Sequence, residues 1–72
     1  MTLHEAIQEV LGHNHNAWMT AAEIAEEIAD QQLYLRNDGG LPLPSHVHTR
    51  INQYLHLFEV DRGCFPMRFR LR

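Results

Sequence analysis

Apolar positions along this chain follow two different periods. Leu3, Ala6, Ile7, Val10 and Leu11 recur at the spacing of one helical face, and Ala21, Ile24, Ala25, Ile28 and Ala29 do so again. A third helix is expected over roughly Ser45 to Leu57. Its apolar residues Val47, Ile51, Tyr54, Leu55 and Phe58 fall within one broad face at about 100° per residue. After that the period becomes two. Phe58 and Val60 alternate with Glu59 and Asp61, then Arg62-Gly63-Cys64 makes a turn. Phe65, Met67, Phe69 and Leu71 then alternate with Pro66, Arg68, Arg70 and Arg72. This predicts a β-hairpin with Phe65, Met67, Phe69 and Leu71 facing inward and an arginine ladder on its solvent face. Pro66, which has no amide to donate, marks the second strand as an edge.

Local signals set the boundaries. Thr2-Leu3-His4-Glu5 and Thr20-Ala21-Ala22-Glu23 are capping boxes, in which Thr serves an orphan helical amide and Glu reaches back. The first helix is expected to run to about Leu11, with Gly12 as its C′ residue and His13-Asn14-His15-Asn16 as the loop. Ala17-Trp18-Met19 is too short for a helix and suits an extended segment paired with the later hairpin. The second helix is expected to end near Leu33. The connection that follows contains Asn37-Asp38-Gly39-Gly40, strong turn chemistry, and Pro42 and Pro44 block a helix until Ser45 caps the third. Leu33, Leu35 and Leu41 are expected to pack, as are Trp18 and Tyr54, with Trp18 also suited to the join between the first helix and the hairpin.

The order is helix, short strand, helix, loop, helix, hairpin. That is the layout of an α+β winged helix-turn-helix: three helices and a small antiparallel sheet whose C-terminal hairpin is the wing. The chain is a single domain, 1–72.

Composition sharpens this picture at one point. The formal net charge is −3, but residues 1–30 carry six acids and no Lys or Arg, whereas residues 31–72 carry six Arg and three acids. The two parts are therefore −6 and +3, which sum to −3. Such asymmetry suggests a polar partner on the basic side. No run approaches a membrane span, and Met1-Thr2-Leu3-His4-Glu5 lacks the basic and apolar regions of a leader. One cysteine, Cys64, forms no internal disulfide, so the expected compartment is the reducing cytoplasm.

"AWMTAAEIAEEI", then "LYLRNDGGLPLPSHVHTRI", then a Phe-rich hairpin resemble the HARE-type helix-turn-helix domain, across nearly the whole chain from Thr2 to Leu71. Bacterial, restriction-associated members with a "YxHLFEVD" segment are particularly similar, matched by Tyr54 to Asp61. The resemblance implies a winged helix attached to restriction-type nucleases, chromatin factors or polymerase subunits, and a function in binding DNA or recruitment to it. Its motifs are mostly apolar and capping positions, so they specify the fold more than the activity. The chain departs from a strong DNA binder in being acidic overall and in having few cations on the third helix.

The candidate site follows from residue chemistry. The polar face of the third helix holds Ser45, Thr49, Asn52, Gln53 and His56, with His46 and Arg50 at its edge and no Asp or Glu. Thr49, Asn52 and Gln53 suit base edges in a major groove. Ser45, His46 and Arg50 suit phosphate, and Arg36 in the preceding loop is a further possible contact. Arg68, Arg70 and Arg72, with no acid between them, form a stripe that suits a phosphate backbone or minor groove. The ordinary readings are a solvated helix face and charged protection of an edge strand. His13-x-His15 and His46-x-His48 lack metal-ligand geometry, and neither Cys64 nor Gly39-Gly40 carries the companions that catalysis or phosphate cradling needs.

The expected partner is thus double-stranded DNA, bound weakly and together with a larger protein, a fused effector domain or a second copy. No enzyme activity, cofactor, metal, membrane or small-molecule substrate is expected. The rival expectation is a protein-interaction winged helix that docks a basic partner through the acidic surface of its first two helices.

Overall fold

Reciprocal capping starts the first two helices of the computed structural model, which describes residues 1–36 and 39–72. In α1 (Leu3–His13), Thr2 Oγ1 accepts the Glu5 amide at 3.3 Å while Glu5 Oε1 accepts the Thr2 amide at 2.8 Å. The Thr2 amide, and then its hydroxyl, hold the Glu5 carboxyl below its ordinary range. In α2 (Ala21–Gln31) the same exchange joins Thr20 and Glu23, at 3.2 and 2.9 Å. Thr20 also closes β1 (Met19–Thr20), so one residue ends a strand and starts a helix.

The helix ends differ from expectation. Gly12 lies inside α1, which runs to His13 with Asn14 as its cap. The Asn16 amide reaches Leu11 O at 2.8 Å and the His15 amide reaches Gly12 O at 3.2 Å. This is a Schellman closure, with His15 at φ 59° and Asn16 at φ 55° in the left-handed region. α2 stops at Gln31, before Leu33, by the same device: Leu33 N to Ile28 O at 3.1 Å, Gln32 N to Ala29 O at 3.2 Å, and Gln32 at φ 53°. No glycine marks either stop, which is why the sequence placed them wrongly.

α3 (Pro44–Gln53) is shorter than expected, because Tyr54 caps it and Phe58 belongs to the next strand. Its cap is Leu43, with Pro44 in the first turn where a missing amide costs nothing, so Ser45 is not the cap. His46 Nδ1 accepts the Leu43 amide at 3.3 Å. A leucine side chain has no acceptor, so only this half of a capping box exists.

β2 (Phe58–Asp61) and β3 (Arg68–Leu71) form the hairpin, and β1 pairs on the other side of β3, giving the antiparallel order β1-β3-β2. Phe69 faces Met19 and Val60, while Arg68 faces Thr20 and Asp61. β3 is thus the centre of the sheet. Pro66 does not mark an edge, because the strand begins two residues after it.

The core lies between the helices and one face of the sheet. Ala6, Ile7, Val10 and Leu11 of α1, Ile24 and Ile28 of α2, Val47 and Ile51 of α3, and Phe58 are fully buried, with Phe69 at 1%. Burying each of the larger side chains stabilises the fold by about 1.5–3 kcal/mol relative to leaving it in water. Tyr54 packs at the margin, stacked on His4 at 4.2 Å between centroids. Leu33 also packs there, but Leu35 and Leu41 are exposed at 57% and 53%, and Trp18 is half-buried outside the core. Phe65, expected inward, is fully exposed. The Asn37 and Asp38 part of the expected turn lies outside the described residues, and Gly39 takes φ +84°.

Three helices and a three-stranded antiparallel sheet make an α+β fold compatible with a winged helix. No described helix is long and apolar enough to cross a membrane.

Candidate nucleic-acid interface

α3 buries only Val47 and Ile51, one turn apart, so most of its circumference faces outward. Ser45, Thr49, Asn52 and Gln53 are exposed, and His46 and Arg50 are half-buried. Its sequence, Pro44 to Gln53, contains no carboxylate.

The connection before α3 folds back beside it. His46, Thr49, Arg50 and Gln53, spaced i, i+3, i+4 and i+7, form one wall of a groove of about 270 Å³. Leu3, Tyr34, Arg36 and Pro42 form the rest. A hydrogen bond from Arg36 N to Gly40 O at 2.8 Å and one from Gly39 N to Arg36 O at 2.8 Å shape the loop around Arg36. Four of the expected contact residues therefore meet, joined by Arg36, while Ser45 and Asn52 continue the exposed surface on the neighbouring row. Arg36 was legible as a loop cation. Tyr34 was not, because its place depends on how the loop folds back.

The arginine ladder is different from the one expected. Register places Arg70 opposite Glu59 and Arg68 opposite Asp61. Arg70 Nη2 lies 3.4 Å from Glu59 Oε2, and Arg68 Nη2 lies 3.3 Å from Asp61 Oδ2. These two Arg and two acids sum to zero charge, so this face of the hairpin is neutral. The acids lie on the next strand rather than between the arginines, and the alternation of Glu59 and Asp61 was the signal for them. Arg70 also lies over the Trp18 ring, its Cζ 4.5 Å from the centroid. Each guanidinium keeps a buried Nε without a partner. Arg72 stands apart from the stripe, its Nε donating to Leu55 O at 3.1 Å just beyond α3.

Asp61 anchors the hairpin turn. Its Oδ1 accepts the Gly63 amide at 3.0 Å, and its Oδ2 accepts the Cys64 thiol and Arg68, both at 3.3 Å. The Cys64 thiol first, then the Gly63 amide and Arg68, hold the Asp61 carboxyl below the usual carboxylate range. Arg68 is raised in turn, through Cys64 first and Asp61 next. The sulfur both donates to Asp61 and accepts from Arg68, at 3.1 Å.

A second groove, of about 470 Å³, runs between Trp18-Met19 and the outer face of α2. Asn14, Ala17, Glu23, Glu26, Glu27 and Asp30 complete it. Asn14 Nδ2 donates to Glu27, tying one of these carboxylates to the end of α1. Comparison with protein-family models, with curated proteins and with solved structures finds no match for the chain.

Proposed function

We propose that this chain is a duplex-DNA-binding winged-helix module, weak alone, that brings a larger protein or complex to DNA. The observation carrying this reading is the stripe of His46, Thr49, Arg50 and Gln53 on α3, with Arg36 across the groove and no carboxylate among the described residues that line it. Gln53 and the adjacent Asn52 suit bidentate contact with adenine, and Thr49 suits a hydrogen bond or a thymine methyl. Arg50 and Arg36 supply cations for phosphate, which fix register without reading sequence. Arg68 and Arg70 enter this reading as secondary contacts, because a phosphate must first compete with Asp61 and Glu59. The resemblance of the sequence to HARE-type domains supports the same reading.

An amide chemical-shift titration with a short mixed-sequence duplex, at low salt and above pH 7, tests it. Shifts at Ser45–Gln53 and at Tyr34 and Arg36, reversed by added salt, are expected. A flat titration refutes the reading.

The acidic groove beside Trp18 favours a second reading, a protein-interaction module that docks a basic partner on α2. A basic peptide that shifts Trp18 and Glu23–Asp30, in a protein indifferent to DNA, would select it.

A further inference from the structure

Phe65 is the most exposed large apolar side chain described, at 102% of its reference area, and it sits in the turn that joins β2 to β3. Strand alternation would have turned it inward with Phe69. The ladder instead begins at Arg68, and residues 62–67 form the turn that carries Phe65 out into water. Arg62 and Pro66 beside it are exposed as well.

Asp61 ties down the first half of the turn and the residue that starts β3. Asp61 takes the Gly63 amide, the Cys64 thiol and the Arg68 guanidinium, so its carboxylate is consumed internally. What the tip offers outward is one cation and one aromatic ring. That combination is complementary to a nucleic acid, which presents anionic phosphates around flat apolar bases.

We propose that the hairpin tip is an aromatic wedge: Phe65, with Arg62 on the flanking phosphate, stacks on the bases of a duplex in the groove next to the one taken by α3. The proposal rests on the DNA reading given above. It also assigns the wing a role that its neutral ladder does not fill. Apolar side chains inserted between base steps unstack them and kink the duplex by about 20–90°, toward the major groove.

The test uses duplexes with a single 2-aminopurine, whose fluorescence reports unstacking, and with end-attached dyes that report bending. The native chain is compared with Phe65→Ala, Phe65→Trp and Gln53→Ala. Phe65 packs against no core residue, so Phe65→Ala should melt at the native temperature. Expected are a 2-aminopurine signal and a bend with the native chain and with Phe65→Trp. Both should be lost in Phe65→Ala, with an affinity loss of about tenfold and an unchanged salt slope. The wedge alone is overturned if Gln53→Ala weakens binding while Phe65→Ala matches the native chain. It is overturned too if the native chain binds without disturbing 2-aminopurine. Absence of any duplex binding at low salt overturns the DNA reading, and the wedge with it.

Discussion

The Asn16 side chain serves as a strand partner for Leu71, 55 residues away. Its Oδ1 accepts the Leu71 amide at 2.6 Å and its Nδ2 donates to the Leu71 carbonyl at 3.1 Å. β1 pairs with β3 only at Met19 and Thr20, and the Asn16 amide extends that pairing from the loop after α1. Asn suits the position twice over, since it tolerates φ 55° and carries both a donor and an acceptor.

Replacing Asn16 should therefore be costly for a loop residue. Asn16→Ala leaves the Leu71 amide without a partner, a loss of about 1–3 kcal/mol. The left-handed backbone adds to this, because alanine lacks the short polar side chain that lets asparagine tolerate φ 55°. Thermal melting should fall by roughly 4–8 °C per kcal/mol for a domain of this size. Asn16→Asp keeps the acceptor but sets a carboxylate oxygen against the Leu71 carbonyl, so it too should melt below the native chain. Equal melting of Asn16→Ala and the native chain would remove the strand-partner role.

Gln32 offers the opposite change. It is exposed, ends α2 in the left-handed conformation at φ 53°, and uses only its backbone to close the helix. Gln32→Gly removes the Cβ clash of that conformation while keeping the closure. Chemical denaturation should show a gain of up to about 1 kcal/mol, the left-handed cost less the extra freedom glycine has when unfolded. The same change at an ordinary helical position such as Glu26 should destabilise.

The two classes of arginine should separate by salt. If Arg50 holds a phosphate, Arg50→Gln should lower the slope of log affinity against log salt by about one and leave melting nearly unchanged. Arg70→Gln should do the reverse. It removes the cation from the Trp18 ring and the partner from Glu59, for about 1 kcal/mol of stability, and leaves the slope nearly as it was. Equal slope changes in both variants would mean that the ladder, and not α3 alone, meets the backbone.

Asp61 sets an acid limit on the hairpin turn. Its carboxyl titrates below the ordinary range when folded, so its contribution is complete above the unfolded value of about 3.9. It is lost as pH falls through the lower folded value. The Gly63 amide resonance, which reports the 3.0 Å bond to Asp61, should move with a midpoint below the ordinary Asp range. In Asp61→Asn this step should vanish. A midpoint in the ordinary Asp range would mean that the bonds around this carboxylate do not form in solution.

The sequence by itself determined the parts of this protein that rest on neighbours within one turn. Thr2 with Glu5 and Thr20 with Glu23 start their helices because each box closes over three residues. The helical faces, the acid-free side of α3 and the hairpin alternation are likewise local patterns. Helix ends were less legible, because His15 and Gln32 adopt the left-handed turn without the glycine that usually announces it. The tertiary structure alone decided which strand is central, that Arg68 and Arg70 meet Asp61 and Glu59, that Tyr34 and Arg36 fold beside α3, and that Phe65 points away from the core. The physical reason is common to all four. Local patterns state what a residue prefers to face, whereas register and loop closure, set by contacts as distant as Asn16 to Leu71, decide which partner is there to be faced.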